Sequence, residues 1–264
     1  MVKEFEGTGY WALILGGSSG LGLASARKLA AHGMNLCIVH RNTRAELAEI
    51  EQIFEQLRAT GIGLISFNVD VIRPESRRLV IDGLTERLGT QGRIRCLLHS
   101  IAKGNLKALV AEDTLLETDD FLITMQNMAI SLNDWTKDLH AAKLFSSDAR
   151  VLSFTSEGSF RAWKYYAAVA AAKAALESIT RSIALEYAAF GIRANCIQAG
   201  ITDTASLRRI PGSATLISHS INRNPYKRLT TPEDVASAVY LLCKDEAAWI
   251  NGTVIPVDGG EQIQ

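Results

Sequence analysis

No pair of cysteines in this sequence has the spacing of a metal or redox site. Cys37, Cys96, Cys196 and Cys243 lie far apart within apolar runs, with neither a CxxC pair nor a Cys/His cluster, as expected for free buried thiols in a reducing compartment and for a protein without a metal. Net charge is missing too: 28 Lys and Arg balance 28 Asp and Glu, and no long run carries one sign. Nucleic acid and acidic membranes reward clustered cations, so neither is expected as a partner, and a small or neutral ligand fits better. No segment approaches the ~20 apolar residues of a membrane-spanning helix. The acidic start, Met1 to Gly7, lacks the apolar core of a secretory signal, so a soluble cytoplasmic protein is expected. Pro/Ser linkers, repeats and low-complexity tracts are also absent, and nothing divides the 264 residues into separate units.

What is present is an alternation of short apolar runs with helical patterns. The run Tyr10–Leu15 breaks into a glycine loop, and a helical pattern follows to Ala31 before Gly33. Leu36–Val39 then leads to an amphipathic helix over 45–60, and 64–69 leads to a helix after Pro74. Next come a strand over 94–100, a long helical region within 119–145, and strands over 151–155 and 193–198 flanking a helix over 166–190. The stretch 202–229 is polar and irregular, with no dominant period. Thr231, Pro232, Glu233 and Asp234 supply an N-cap, a first-turn proline and first-turn acids for a helix to Cys243, and a last strand covers 253–257. Seven strands interleaved with helices predict a single-domain, Rossmann-like α/β fold, a doubly wound parallel sheet with helices on both faces. Ligands of such sheets bind beyond the carboxyl ends of the strands, so Gly16, His40, Asp70, His99, Thr155 and Ala199 should ring one crevice.

The most telling stretch is Tyr165 to Ala174. Tyr166 and Lys173 lie seven apart, which on a helix leaves them about 20° from eclipsed and roughly 10 Å apart along the axis. An ammonium there could hold ribose hydroxyls and lower a phenol's pKa. A core-packed Tyr and a snorkelling Lys fit the same spacing, and the helix alone does not choose.

The loop Gly16, Ser18, Ser19, Gly20, Leu21, Gly22 joins a strand to a helix, the context in which glycines admit a pyrophosphate to a helix N-terminus. Structural glycines at a tight turn are the other reading. After the second strand, where an acid would select NAD, stand His40, Arg41 and Arg44; their donors and charge suit a 2′-phosphate and therefore NADPH over NADH, although a solvated basic turn looks alike. Asp70 could bond an adenine amino group with Val71 against the ring, or belong to the approach to Pro74. Ser100, Ile101 and Ala102 would face the cofactor ribose, while His99 reads as a structural histidine.

Together these residues resemble the short-chain dehydrogenase/reductase family over nearly the whole chain: the glycine loop, the Asp70-Val71 pair, the Tyr/Lys helix, the run Asn195 to Gly200 and the terminal Val257 to Gly260. The resemblance implies that Tyr166 moves the proton, that Lys173 binds the nicotinamide ribose, and that Ala199, Gly200, Ile201, Thr202 and Thr204 hold the carboxamide and diphosphate end. Most of the family has Lys four residues after Tyr, whereas seven matches the enoyl-acyl-carrier-protein reductase branch. His99-Ser100-Ile101 and the lack of an Asn in the usual register near Met125 to Ile130 agree with that branch. Two features depart from it: Leu15 replaces a Thr, and Ser156 stands ten residues before Tyr166 where several enoyl reductases have a second Tyr. The hydroxyls of Thr155 and Ser156 keep carbonyl chemistry open. The resemblance implies NADPH-dependent reduction of a trans-2-enoyl thioester in fatty-acid synthesis, on a carrier-bound or small-molecule acyl substrate, by a homotetramer with a substrate lid at 202–228. A carbonyl reductase and a non-catalytic dinucleotide-binding protein are the alternatives.

Overall fold

The computed structural model describes residues 2–264. Seven strands form one parallel sheet: β1 (Tyr10–Leu15), β2 (Asn35–His40), β3 (Leu64–Asn68), β4 (Arg93–His99), β5 (Phe145–Thr155), β6 (Ile192–Ala199) and β7 (Val254–Val257), in the order β3-β2-β1-β4-β5-β6-β7. The chain reverses direction across the sheet between β1 and β4, the switch point beside which such folds bind ligands. β1, β2 and β4 are almost continuously buried, as strands covered on both faces must be, and β1 is apolar throughout.

The helices are α1 (Gly20–Ala31), α2 (Leu47–Arg58), α3 (Pro74–Leu88), α4 (Thr118–Met125), α5 (Ser131–Ala141), α6 (Ala167–Glu186), α7 (Ala205–Arg208), α8 (Ser213–Arg223) and α9 (Pro232–Cys243). Leu29 of α1, Phe54 of α2 and Val239 of α9 pack on one face of the sheet. Leu84 of α3, Trp135 of α5 and Leu176 of α6 pack on the other. Among the described residues no helix is long and apolar enough to cross a membrane. α9 starts as its sequence dictates: Thr231 and Asp234 cap each other, with Pro232 in the first turn, a device worth about 1 kcal/mol.

Three elements differ from expectation. The helical region expected within 119–145 is present, but a π turn, Gln126–Ile130, divides it into α4 and α5. β5 starts at Phe145 rather than 151, and its register with β4 jumps between Ile94↔Phe145 and Cys96↔Arg150. The displaced residues carry Asp148, which receives Arg95 (2.6 Å), Arg150 (2.5 Å) and Arg193. The same Arg95 and Arg150 donate to the last carbonyls of α9, at Cys243 and Leu242. Finally, 202–229 contains α7 and α8. The sequence hides α8 because its one fully buried side chain is Ser220, with Leu216, Ile217 and Ile221 only half-buried.

Candidate active site

The glycine loop is built to stay open. Gly16 has φ +87°, and a Cβ there would lie 2.3 Å from the Ser100 carbonyl oxygen; one at Gly22 would lie 2.2 Å from that of Gly16. The loop can therefore press against β4 only without side chains. Gly20, by contrast, has φ +53° and nothing nearer than Thr204 at 3.9 Å. Ser19 caps α1 without a side-chain bond, and no acid occupies the first turn, so the positive end of the helix is uncontested. This cradle fits a dinucleotide pyrophosphate. Leu21, half-buried, packs against the core under α1.

Around the β2 exit, Ser18 donates to Asn42 at 2.9 Å, which fixes the loop to the next strand. His40 is buried, bonded to Asn42 at 3.0 Å and edge-on to Phe54, and burial lowers its pKa. Its ring is thus engaged by Asn42 and Phe54, whereas the sequence reading has it turned to a phosphate. Arg41 is 54% exposed and bonded to Asp70 at 2.6 Å. Partial burial opposes ionisation of Asp70, but the Ile72 amide and Arg41 hold its pKa below the ordinary value. Two residues expected to touch different parts of a cofactor thus form one pair beyond the end of β2. Arg44 is exposed with no bonded partner among the described residues. Val71 is buried, its carbonyl taken by Trp135 at 3.0 Å.

His99, at the end of β4, bonds Ser131 through Nε2 at 2.7 Å, and Ser131 in turn donates to the Asn127 carbonyl at 2.7 Å. The Ser proton being used there, His99 Nε2 is the donor, leaving Nδ1 without a partner. Burial first, and Lys173 second, push its pKa down to about 3, so it remains neutral and structural. The Ser100 amide bonds Leu15 at 2.9 Å; Ile101 is half-buried and Ala102 exposed beside it.

Tyr166 is the N-cap of α6, after Tyr165 in the left-handed conformation, φ +63°. That turn buries the Tyr166 ring against Trp163, Val169 and Met128, with Leu106, Met125 and Ile210 adding to an apolar wall. Its hydroxyl lies 3.4 Å from Ser156 Oγ. Burial raises the phenol's pKa, opposed by Ser156, which suits an acid that keeps its proton until needed. Lys173 is buried and donates to the Phe154 carbonyl at 2.6 Å; burial lowers its pKa to about 8, opposed by Cys196 and Glu177. Ser156 and Tyr166 are brought together, but Thr155 is not: its hydroxyl donates to Glu177 at 2.6 Å, about three turns along α6 from Tyr166.

Beyond β6, Gly200 passes so close to Thr230 that a Cβ would lie 2.4 Å from its hydroxyl. Ala199 is half-buried next to it. The Ile201 amide donates to Glu261 at 3.2 Å, Thr202 donates to the Gly200 carbonyl at 2.9 Å, and Thr204 caps α7. The apolar wall and the partners Glu177 and Glu261 escape the sequence reading. Only the Met125/Met128 pair, three apart on one helical face, carried a signal for it. A cleft of about 540 Å³ lies between Tyr226, Arg228, Asp234 and Gly259, and Thr230 also lines it, but Tyr166, Ser156 and Lys173 do not.

The chain is similar to known proteins over most of its length. A family model described as enoyl-(acyl carrier protein) reductase matches residues 16–262. The enoyl-(acyl-carrier-protein) reductase (NADH) 2 of Rhizobium meliloti is 33% identical over 187 residues, 70% of this chain and 67% of that protein. The peroxisomal 2,4-dienoyl-CoA reductase of Danio rerio is 29% identical over 94% of this chain and 80% of its own. The crystal structure of FabI from Candidatus Liberibacter asiaticus superposes with a TM-score of 0.85 at 25% identity, covering 100% of this chain and 98% of that one.

Proposed function

Because the chain belongs to the enoyl-(acyl carrier protein) reductase family within the short-chain dehydrogenases/reductases, NAD(P)-dependent oxidoreductases, we propose that it reduces the 2,3 double bond of a trans-2-enoyl thioester with NADPH. The observation that carries this reading is Tyr166: a buried phenol in an apolar wall that suits an acyl chain, seven residues before a buried lysine. The glycine loop would hold the pyrophosphate, Lys173 the ribose, and the Ile201 region the carboxamide; when bound, the reduced nicotinamide supplies a hydride. The chain's own task is to stabilise the negative charge that develops on the thioester oxygen. Tyr166 donates a hydrogen bond and then a proton there, and the dry apolar wall strengthens that interaction. Lys173 holds a positive charge nearby, which favours the phenolate left behind.

Arg41 and Arg44 support NADPH over NADH, since no acid of the kind that selects NAD ends β2. Segment 202–228, with α7, α8 and Ile210 on the wall around Tyr166, serves as the substrate lid of this one domain. We further propose a role in cytoplasmic fatty-acid synthesis and a homotetramer. The Ser156 hydroxyl 3.4 Å from Tyr166 favours a second reading, reduction of a ketone by the same acid. The deciding assay follows NADPH oxidation with crotonyl- and longer enoyl-thioesters, on CoA and on carrier protein, against 3-ketoacyl thioesters and simple ketones. Turnover of enoyl thioesters is expected, and turnover of ketones alone would replace the first reading with the second.

A further inference from the structure

A charged cluster beside Ser156 has no part in the chemistry above. Arg223, the last residue of α8, donates through Nη2 to Glu157 at 2.7 Å and to Glu261 at 3.0 Å. The three side chains are 12%, 9% and 3% exposed. Glu157 follows Ser156 directly in the turn between β5 and α6. The other oxygen of Glu261 accepts the Ile201 amide. One guanidinium therefore joins the helix of the proposed lid to the turn carrying Ser156 and to the exit of β6.

Fold stability alone gives little reason for this arrangement. Burying Arg223, Glu157 and Glu261, with the half-exposed Arg161 also 3.0 Å from Glu157, costs desolvation, and well-packed apolar residues at such positions are often as stabilising or more so. The apolar contribution of α8 is small, with no buried residue larger than Ser220. Asn224, next along, donates to the Asp258 carbonyl at 2.8 Å, which ties the helix end to the β7 exit and to neither catalytic turn. The cluster also closes around a cavity of about 20 Å³ bordered by Ser156, Trp163 and Ile201, so it stands directly against the site.

We propose that Arg223 is a positioning residue: its paired bonds to Glu157 and Glu261 lock α8 over the crevice and align the Ser156 turn with the Ile201 amide in one event. The proposal rests on the reading that substrate meets Tyr166 and Ser156. Full-length R223Q, R223K and E261Q are compared with wild type by thermolysin cleavage within 202–223 without ligand, and by separate KM and kcat values for the enoyl thioester. R223Q should be cleaved at least tenfold faster and show a KM raised at least tenfold with kcat lowered about threefold. R223K should recover most of the difference, and E261Q should fall between. A purely structural role would lower the active fraction, and so kcat, at unchanged KM. That result, or cleavage and KM both at wild-type values, overturns the proposal. If R223Q does not fold, R223K and E261Q decide by the same criteria. If wild type turns over only ketones, the KM arm moves to the ketone and the cleavage arm stands unchanged, which separates this proposal from the assignment of the reaction.

Discussion

The ammonium of Lys173 donates to the carbonyl of Phe154 at 2.6 Å, one residue before the Thr155 that Glu177 holds. Two adjacent bonds from one helix thus fix the end of β5, and Ser156 emerges from that end toward Tyr166. With its pKa lowered to about 8 by burial, Lys173 loses its charge just above neutrality. The kcat/KM of the enzyme, which reports ionisations of the free protein, should be level below this value and fall as pH rises through about 8. Glu177 opposes the shift, so E177Q should move the fall to lower pH while keeping an acceptor for Thr155. A profile from pH 6 to 10 that stays level beyond 9 would contradict the role given to Lys173.

The same burial makes Lys173 a cost to the fold. Its folded pKa lies below the unfolded one, so the unfolded chain binds more protons between about 8 and 10.5, stability rises with pH across that window, and the cost is fully present below it. At about 1.4 kcal/mol per pH unit the cost is about 3 kcal/mol, offset by about 2 kcal/mol for the charge-assisted bond to Phe154. K173M should therefore be inactive yet melt a few degrees higher at pH 7, with the difference shrinking toward pH 10.5. Thermal unfolding by circular dichroism at both pH values checks this; a lower melting temperature at pH 7 would mean that the bond outweighs the burial.

Tyr166→Phe keeps the ring in its apolar wall and deletes only the donor. Loss of a donor to a developing oxyanion lowers turnover about 10²–10³-fold, and Y166F should do so with its melting temperature unchanged. S156A discriminates between the reactions: a decrease under tenfold is expected for enoyl reduction, and one matching Y166F would assign Ser156 an equal share and favour the ketone.

Arg41 and Asp70 neutralise each other in part. R41A should raise KM for NADPH about tenfold, the order of one charge-assisted hydrogen bond, and leave that for NADH within twofold. D70N frees the guanidinium and should increase the NADPH to NADH preference. Equal effects on both nucleotides in both variants would place the 2′-phosphate elsewhere.

Much of this arrangement could be read from local sequence. The Gly16/Gly20/Gly22 loop, the seven-residue step from Tyr166 to Lys173 and the capped start of α9 are short-range patterns, and sequence displays those directly. Pairs brought together by the sheet are not displayed. Glu157, Arg223 and Glu261 are 66 and 38 residues apart, and each alone resembles a solvated surface charge. His40 looked like a phosphate ligand because its position after β2 is visible while the Phe54 ring that covers it is not. Thr155 and Ser156 are equivalent on paper; Thr155 ends β5 and meets Glu177, whereas Ser156 already caps the following turn and meets Tyr166.

The π turn at Gln126–Ile130 acts as a phase shifter. One extra residue in a helix advances everything after it by about 100°, so α4 and α5 share an axis while presenting different faces of the sequence. At the shift Met125 packs against both the Tyr166 wall and the main core; downstream, Leu132, Trp135 and Leu139 look into the main core alone. Deleting a single residue between 126 and 130 would restore a regular helix and rotate one half out of register with its neighbours. With the core fixing α5, the rotation would fall on α4, and the substrate wall would be lost while the sheet beneath it remained intact.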